Sequence, residues 1–495
     1  MRLILLLAAV LFGPRALLAA ESDLAIQTRV AVEKATAYLR SISTEGGYLW
    51  RYSLDLKQRA GETKATATQV WIQPPGTPSV GMAFLRAHEA TKDARYLDAA
   101  RAVGLALAQG QLESGGWDYL IEFDPEAGKK WYRRSDIGKI SPADGAKQRN
   151  ISTYDDDNTQ SALRFLLAYC DDAKGSSDPR EARIREALDY GLKKMLEAQY
   201  PNGAWPQRYD GIPKRVEDFP IKPAAYPPDY PCTWPHTDYK FHYTFNDNTH
   251  RDCINTMLDA HHRTAKREYL DAVKHGGDFI VSAQMPEPQP AWAQQYNAQM
   301  EPAWARAFEP PCLTGGESVG ALRMLMELYI ETGEQKYLKP IPPAIAWFER
   351  SALAPNRWAR YYELHTNKQL FGDRDGEIYY RLEDISEERQ KGYSWSGDYG
   401  VRDMMAYYNK VQKQGRDAML KEKENKTNPS AKQKAASVKS LEPRVREIVA
   451  AQDEQGRWVT KGSAKKRDWE FTDHVETSVF IKNLDTLSAY LEAVK

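Results

Sequence analysis

The sequence predicts an all-α protein, an (α/α) toroid of about six helical hairpins with long loops on one face. Three observations predict it: a short phrase that recurs six times, an amphipathic stretch before each recurrence, and a second apolar helix after each. The phrases are ISTEGGYLWRY from Ile42, AQGQLESGGWDY from Ala108, EAQYPNGAWPQRY from Glu197, SAQMPEPQPAWAQQY from Ser282, APNRWARYYEL from Ala354 and AAQDEQGRWVT from Ala450. Stretches such as RVAVEKATAYLRSI and ALDYGLKKMLEAQ lead into them, with apolar residues at the i, i+3, i+4 and i+7 positions of a one-sided helix. Glycine in the phrase supplies a left-handed helix cap, and Pro201 forbids continuation. Between phrases lie SVGMAFLRAHEATKD, TQSALRFLLAYCDDA, THRDCINTMLDAHHRTA, ESVGALRMLMELYIETG, YGVRDMMAYYNKVQKQ and ETSVFIKNLDTLSAYLEAV, giving twelve helices in six pairs. The spacing between the phrase aromatics Tyr48, Trp117, Trp205, Trp292, Trp358 and Trp458 is too irregular for a regular solenoid, so a closed ring fits better.

If neighbouring helices are antiparallel, all the long segments leave from one end of the ring: 46–77, 114–157, 201–248, 286–316, 352–399 and 453–474. The return connections, such as TKDARY and TGEQKY, are short. A rigid scaffold with its Trp, Tyr, Asp and Arg gathered on one face is where a site is expected.

Residues 1–20 combine Arg2, an apolar run from Leu3 to Phe12 and the small pair Ala19-Ala20, the pattern of a secretory signal peptide. The expected organisation is this leader, a catalytic toroid over 21–415, a Lys-rich flexible linker over 416–440 and a helical pair over 441–495 that completes the ring. No later apolar run is long enough for a bilayer, so an exported chain, secreted or periplasmic, with no membrane segment is expected. Lys plus Arg (68) balances Asp plus Glu (68), which gives no global charge for nucleic acid. Cys170, Cys232, Cys253 and Cys312 are widely spaced and lack a zinc pattern; they are disulfides or buried thiols. A monomer is expected.

Two helix starts resemble each other, STYDDDNTQSALRFL from Ser152 and YTFNDNTHRDCINTM from Tyr243, each with Asp-Asn-Thr before an apolar helix. N-capping explains one acid at each. Three in a row, Asp155, Asp156 and Asp157, need a cation or a basic partner, and oxygen ligands without His or Cys favour calcium. The fourth loop carries Arg306 in PAWARAFEPPCLTGGES. The fifth carries Arg357, Arg360, Arg374, Arg381 and Arg389, which either form salt bridges with neighbouring acids or grip the carboxylates of a polyanionic substrate.

The phrases YPNGAWPQRY, TYDDDNTQSALRFL, HYTFNDN, PAWARAFEPPCLTGGES, WARYYEL and FGDRDGEIYYRLEDISEERQKGYSW, in this order between about Val30 and Tyr408, resemble the catalytic domain of polysaccharide lyase family ten, the pectate lyases. The resemblance implies an (α/α) toroid that cleaves polygalacturonate, the pectin backbone, by Ca²⁺-assisted β-elimination to 4,5-unsaturated oligogalacturonides. By motif position it implies Arg306 as the base, Asp155 and Asp247 as catalytic acids near calcium and substrate and as metal ligands, and Arg360 and Arg374 as substrate-binding residues; Asp156 is expected as a third metal ligand from the run of acids alone. Asp156 stands where the family often has Asn, and Ala204 where it has Gly. A glycoside hydrolase on the same toroid and a non-catalytic pectin-binding toroid are the competing readings.

Overall fold

A computed structural model describes residues 22–466 and 468–495, so the expected signal peptide lies outside the described residues. Among the described residues, twelve α-helices are ten residues or longer: α1 Asp23–Ile42, α2 Thr77–Thr91, α3 Ala94–Gly110, α4 Asn158–Asp172, α5 Glu181–Glu197, α6 Thr249–Thr264, α7 Arg267–Ser282, α8 Gly315–Thr332, α9 Ile341–Arg350, α10 Val401–Thr427, α11 Ala431–Ala450 and α12 Thr477–Ala493. The even-numbered helices follow one another around the inside, α2 against α4, α4 against α6, α6 against α8 and α8 against α10, and α12 packs back against α2. The odd-numbered helices cover them, and the chain forms an (α/α) toroid.

The recurring phrase is the joint of this ring. Five of its tryptophans donate their indole N–H to a carbonyl near the end of the preceding helix: Trp117 to Leu107, Trp205 to Met195 and Trp458 to Ile448 at 2.9 Å, Trp292 to Ile280 and Trp358 to Phe348 at 2.8 Å. Each bond satisfies a carbonyl that the helix end leaves without an internal partner. The phrase glutamine reaches sideways. Gln111 donates to the Ala187 carbonyl on α5, Gln199 to Ala272 on α7 and Gln284 to Pro340 just before α9, while Gln452 donates to Ala31 on α1. The phrase glycine allows the close approach: a Cβ on Gly203, at φ +93°, would meet the His275 carbonyl oxygen at 2.1 Å, and one on Gly456 would meet that of Lys34 at 2.5 Å.

On the loop face, short antiparallel strand pairs tie each hairpin to its neighbour. Gln69–Trp71 pairs with Leu120–Glu122, Ser152–Thr153 with Arg208–Tyr209, Tyr243–Thr244 with Gln295–Tyr296, and Leu313–Thr314 with Tyr361–Tyr362. His474–Glu476 pairs with Arg51–Ser53, and Arg51 Nε lies 2.7 Å from the Glu476 carboxylate. The last hairpin is thereby joined to the first at both ends of the joint.

The expected linker over 416–440 is corrected by the structure. Those residues form the helical segment of α10 that follows its break at Gly415 (φ 76°, ψ 169°) and the first half of α11, separated from each other only by Asn428, Pro429 and Ser430. Lys, Glu, Gln and Ala are strong helix formers, so a composition that suits a solvated linker also suits a charged helix. Contacts with α8 settle which forms. Lys423 lies 2.7 Å from both Glu327 and Glu331, and Arg416 donates to the last-turn carbonyls of Ile330 and Glu331 at 2.9 and 3.0 Å. Ser430 and Gln433 form a capping box that starts α11. The four cysteines are free, three of them buried and Cys232 exposed. Among the described residues no helix is long and apolar enough to cross a membrane.

Gly203→Ala should destabilise the protein by about 1–3 kcal/mol from backbone strain alone, with the clash against α7 adding to it. The fall in thermal midpoint checks this, and its excess over that of Gly175→Ala, which carries similar strain at φ +84° in open space, measures the clash.

Candidate functional site

The site begins at two turns of one kind. Asp155–Asp157 leads into α4 and Asn246–Asn248 into α6, each as a single 3-10 turn directly after a paired strand. Both turns hold two successive non-glycine residues in left-handed conformation: Asp156 and Asp157 at φ 51° and 59°, and Asp247 and Asn248 at φ 47° and 60°. Such residues are rare outside glycine and gather at functional sites. The register differs from the sequence match. The strand pairs align Thr153 with Thr244, so Asp156 is the counterpart of Asp247 and Asp157 that of Asn248. The shared Asp-Asn-Thr triplets are one residue out of step.

The turns bring Asp155, Asp156 and Asp247 together, with one carboxylate oxygen of each within 4.8 Å of the others. Asp157 is drawn away into a 2.6 Å ion pair with Arg164 of α4. The run of three acids therefore uses both resolutions expected of it, a basic partner for one and a shared site for two. Asp155 is buried and its Oδ1 has no hydrogen-bond partner. Desolvation in the cleft, reinforced by the charges of the neighbouring acids, pushes Asp156 up to about 6 and Asp247 up to about 7, and burial raises Asp155. The charge of Glu62 reaches Asp156 and that of Glu317 reaches Asp247. An orphaned buried carboxylate oxygen among all-oxygen donors at this spacing fits a hard divalent cation, whose ligand oxygens lie about 2.3–2.6 Å from the ion.

A second group stands on the later loops, near enough for the charge of Arg306 to reach all three acids. Phe308 and Tyr393, in edge contact at 5.5 Å, hold four arginines. Arg306, Arg374 and Arg389 lie 4.9, 5.4 and 4.4 Å from the Phe308 ring, and Arg360 lies 4.2 Å from that of Tyr393. Two carboxylates partner them. Glu309, buried, receives Arg306 Nε at 2.8 Å and Nη2 on its other oxygen at 2.5 Å. Glu388 receives both Arg374 and Arg389 at 2.8 Å. Arg360 forms no salt bridge among the described residues, and its buried Nε is unpartnered. The group has a net positive charge suited to anions. Arg306, Arg360 and Arg374, the arginines that the family resemblance implies, thus stand together, and Arg389, one of the loop cations without an assigned role, joins them. Arg381 instead pairs with Asp384 at 2.7 Å on the surface, as the salt-bridge reading expects.

Two further residues touch the acids. Tyr119 OH donates to Asp155 at 3.1 Å and Asp156 at 3.4 Å. Arg208, held by Thr153 Oγ1 at 2.6 Å, donates to Tyr119 OH at 3.2 Å and lies 3.9 Å from Asp155. Both stand just after a joint tryptophan, Tyr119 after Trp117 and Arg208 after Trp205, which is the signal that could have found them.

The pectic acid lyase family model matches residues 127–357 and 351–403, more than half of the chain. The chain belongs to the pectic acid lyase family. As a member it is a polysaccharide lyase, and the acid turns and four arginines all fall within the matched region, whereas Tyr119 lies before it. Similar solved structures include a family 10 polysaccharide lyase from Cellvibrio cellulosa (23% identity, covering 68% of this chain and 96% of that one, TM-score 0.44). A mutant of that lyase in complex with trigalacturonic acid gives 23% identity, 68% and 97% coverage, and a TM-score of 0.43. Cellobiose 2-epimerase from Bacillus thermoamylovorans gives 11% identity, 94% and 98% coverage, and a TM-score of 0.42. No curated protein sequence matches the chain.

The raised acids set a pH dependence. A carboxyl whose folded pKa lies above its unfolded value contributes stability below the unfolded pKa and loses it as pH rises through the folded one. For Asp156 and Asp247 that window runs from the ordinary carboxyl value of 3.8 to about 6 and about 7. A divalent cation shared by these acids should therefore raise the thermal midpoint more at about pH 8 than at about pH 5, and Asp156→Asn should shrink the difference; melting curves with and without chelator measure it.

Proposed function

We propose that the protein cleaves polygalacturonate by calcium-assisted β-elimination, giving 4,5-unsaturated oligogalacturonides. One observation carries the reading: three carboxylates spaced to share a cation stand on the same loop face as four arginines with only two carboxylate partners. A uronate polymer presents a carboxylate on every sugar, and that pattern needs cations at successive positions. Asp155, Asp156 and Asp247 would hold Ca²⁺, which would neutralise a substrate carboxylate and so acidify the C5 proton. Arg360 and Arg374, with Arg389, bind and orient the carboxylates and hold the sugar in line.

Arg306 is proposed to take the C5 proton. The C5–H electrons become the C4–C5 double bond, and the C4–O bond breaks, leaving its pair on the departing sugar oxygen. Glu309 fixes the guanidinium through Nε and Nη2, leaving Nη1 without a protein partner among the described residues. The same ion pair raises the Arg306 pKa, which opposes deprotonation. Activity through Arg306 must therefore climb as pH rises. The leader-like residues 1–20 support export to the periplasm or beyond, and closure of the ring within one chain supports a monomer.

Chelation should abolish the ultraviolet-absorbing product from polygalacturonate, and calcium should restore it. Arg306→Ala should lower kcat by about 10²–10⁴-fold while substrate binding stays within about threefold. The pH profile of kcat should rise through the alkaline range; a plateau near the value of about 7 held by Asp247 would give the proton to that carboxylate instead.

A further inference from the structure

We propose that Arg208 is a built-in counter-cation of the acid cluster, which turns to a substrate carboxylate when a divalent cation occupies the acids. The inference rests on the cation site described above and adds a specific residue to it. Strand pairing places Arg208 opposite Thr153, two residues before Asp155. Its guanidinium is held in a fork, Nη1 on Thr153 Oγ1 at 2.6 Å and Nη2 on Tyr119 OH at 3.2 Å, and it lies over the Tyr119 ring at 5.0 Å. Its contact with Asp155 is loose, 3.9 Å and not a hydrogen bond. Tyr119 OH intervenes and donates to both Asp155 and Asp156. The positive charge thus stands one hydroxyl away from the acids instead of being locked onto one of them.

That arrangement separates two tasks. Without a metal, three carboxylates within 4.8 Å repel one another, and Arg208 is the cation nearest to Asp155 among the described residues. A bound divalent ion supplies that charge itself, and Arg208 then faces an excess of positive charge. A substrate carboxylate that bridges to the ion is the anion that relieves it, and a planar guanidinium on a strand matches it. Tyr119, which bonds two of the acids and Arg208, is the positioning residue between them.

The test is calorimetric titration of calcium into the metal-free protein. Arg208→Ala removes a competing charge and should tighten calcium binding about three- to thirtyfold, while raising KM for polygalacturonate about tenfold or more. Arg208→Lys keeps the charge and should leave calcium binding within about twofold. In chelator the Ala variant should melt below the wild type, and calcium should close that gap. A merely structural Arg208 would give weaker calcium binding in the Ala variant and a melting gap that calcium leaves open; either result overturns the proposal, as does wild-type calcium affinity in the Ala variant. If the wild type binds calcium with these variant effects yet forms no unsaturated product, the elimination reading fails and the counter-cation stands.

Discussion

Everything in this ring hangs on the contact between the end of one outer helix and the flank of the next. The contact is small: a glycine whose missing Cβ lets one backbone touch another, a glutamine amide that bonds across, and an indole that closes the helix end behind it. Each part does a separate thing. The glycine sets the distance, the glutamine sets the direction, and the tryptophan, fully buried at Trp117, Trp205, Trp292 and Trp358, keeps a helix carbonyl satisfied where water cannot reach. Repeated around the chain, the joint fixes where every long loop begins, and so which residues the loops deliver together.

The acid turns are expensive to build. Four left-handed non-glycine residues cost of order 1–3 kcal/mol each, and gathering carboxylates adds repulsion. What offsets this is local. The turns sit at the N-termini of α4 and α6, where the helix dipole favours negative charge, and Asn158 and Gln160 side-chain amides donate to the carbonyls of Asp155 and Tyr154 at 2.7 Å. Strand pairs on either side hold the chain entering each turn. Strain is tolerated because its surroundings leave the backbone no other path.

The helices and the ring were legible because burial writes a period into sequence and the joint repeats a composition. The acids and most of the arginines were legible because their residue types admit few uses. The Lys-rich half of α10 was not, since solvated chain and charged helix share a composition and only Glu327 and Glu331, far away in sequence, decide between them. Nor was the one-residue register of the two acid turns, which depends on strand pairing that leaves no local mark. Tyr119 and Arg208 were hidden for another reason: their phrase also serves the scaffold, and the scaffold role accounted for it completely.

The ring is closed by its own two ends. Gln452 bonds to Ala31, the strand before α12 pairs with the strand after α1, and α12 lies along α2, where Arg86 and Asp485 meet at 2.6 Å. A chain emerging from a ribosome therefore holds an open arc until its final helix has arrived. The acid cluster belongs to the middle of that arc, so its three carboxylates are all present long before the wall that Glu476 and Arg51 seal is finished. Completion of the last seventeen-residue helix is the event that turns an assembled set of parts into a closed vessel.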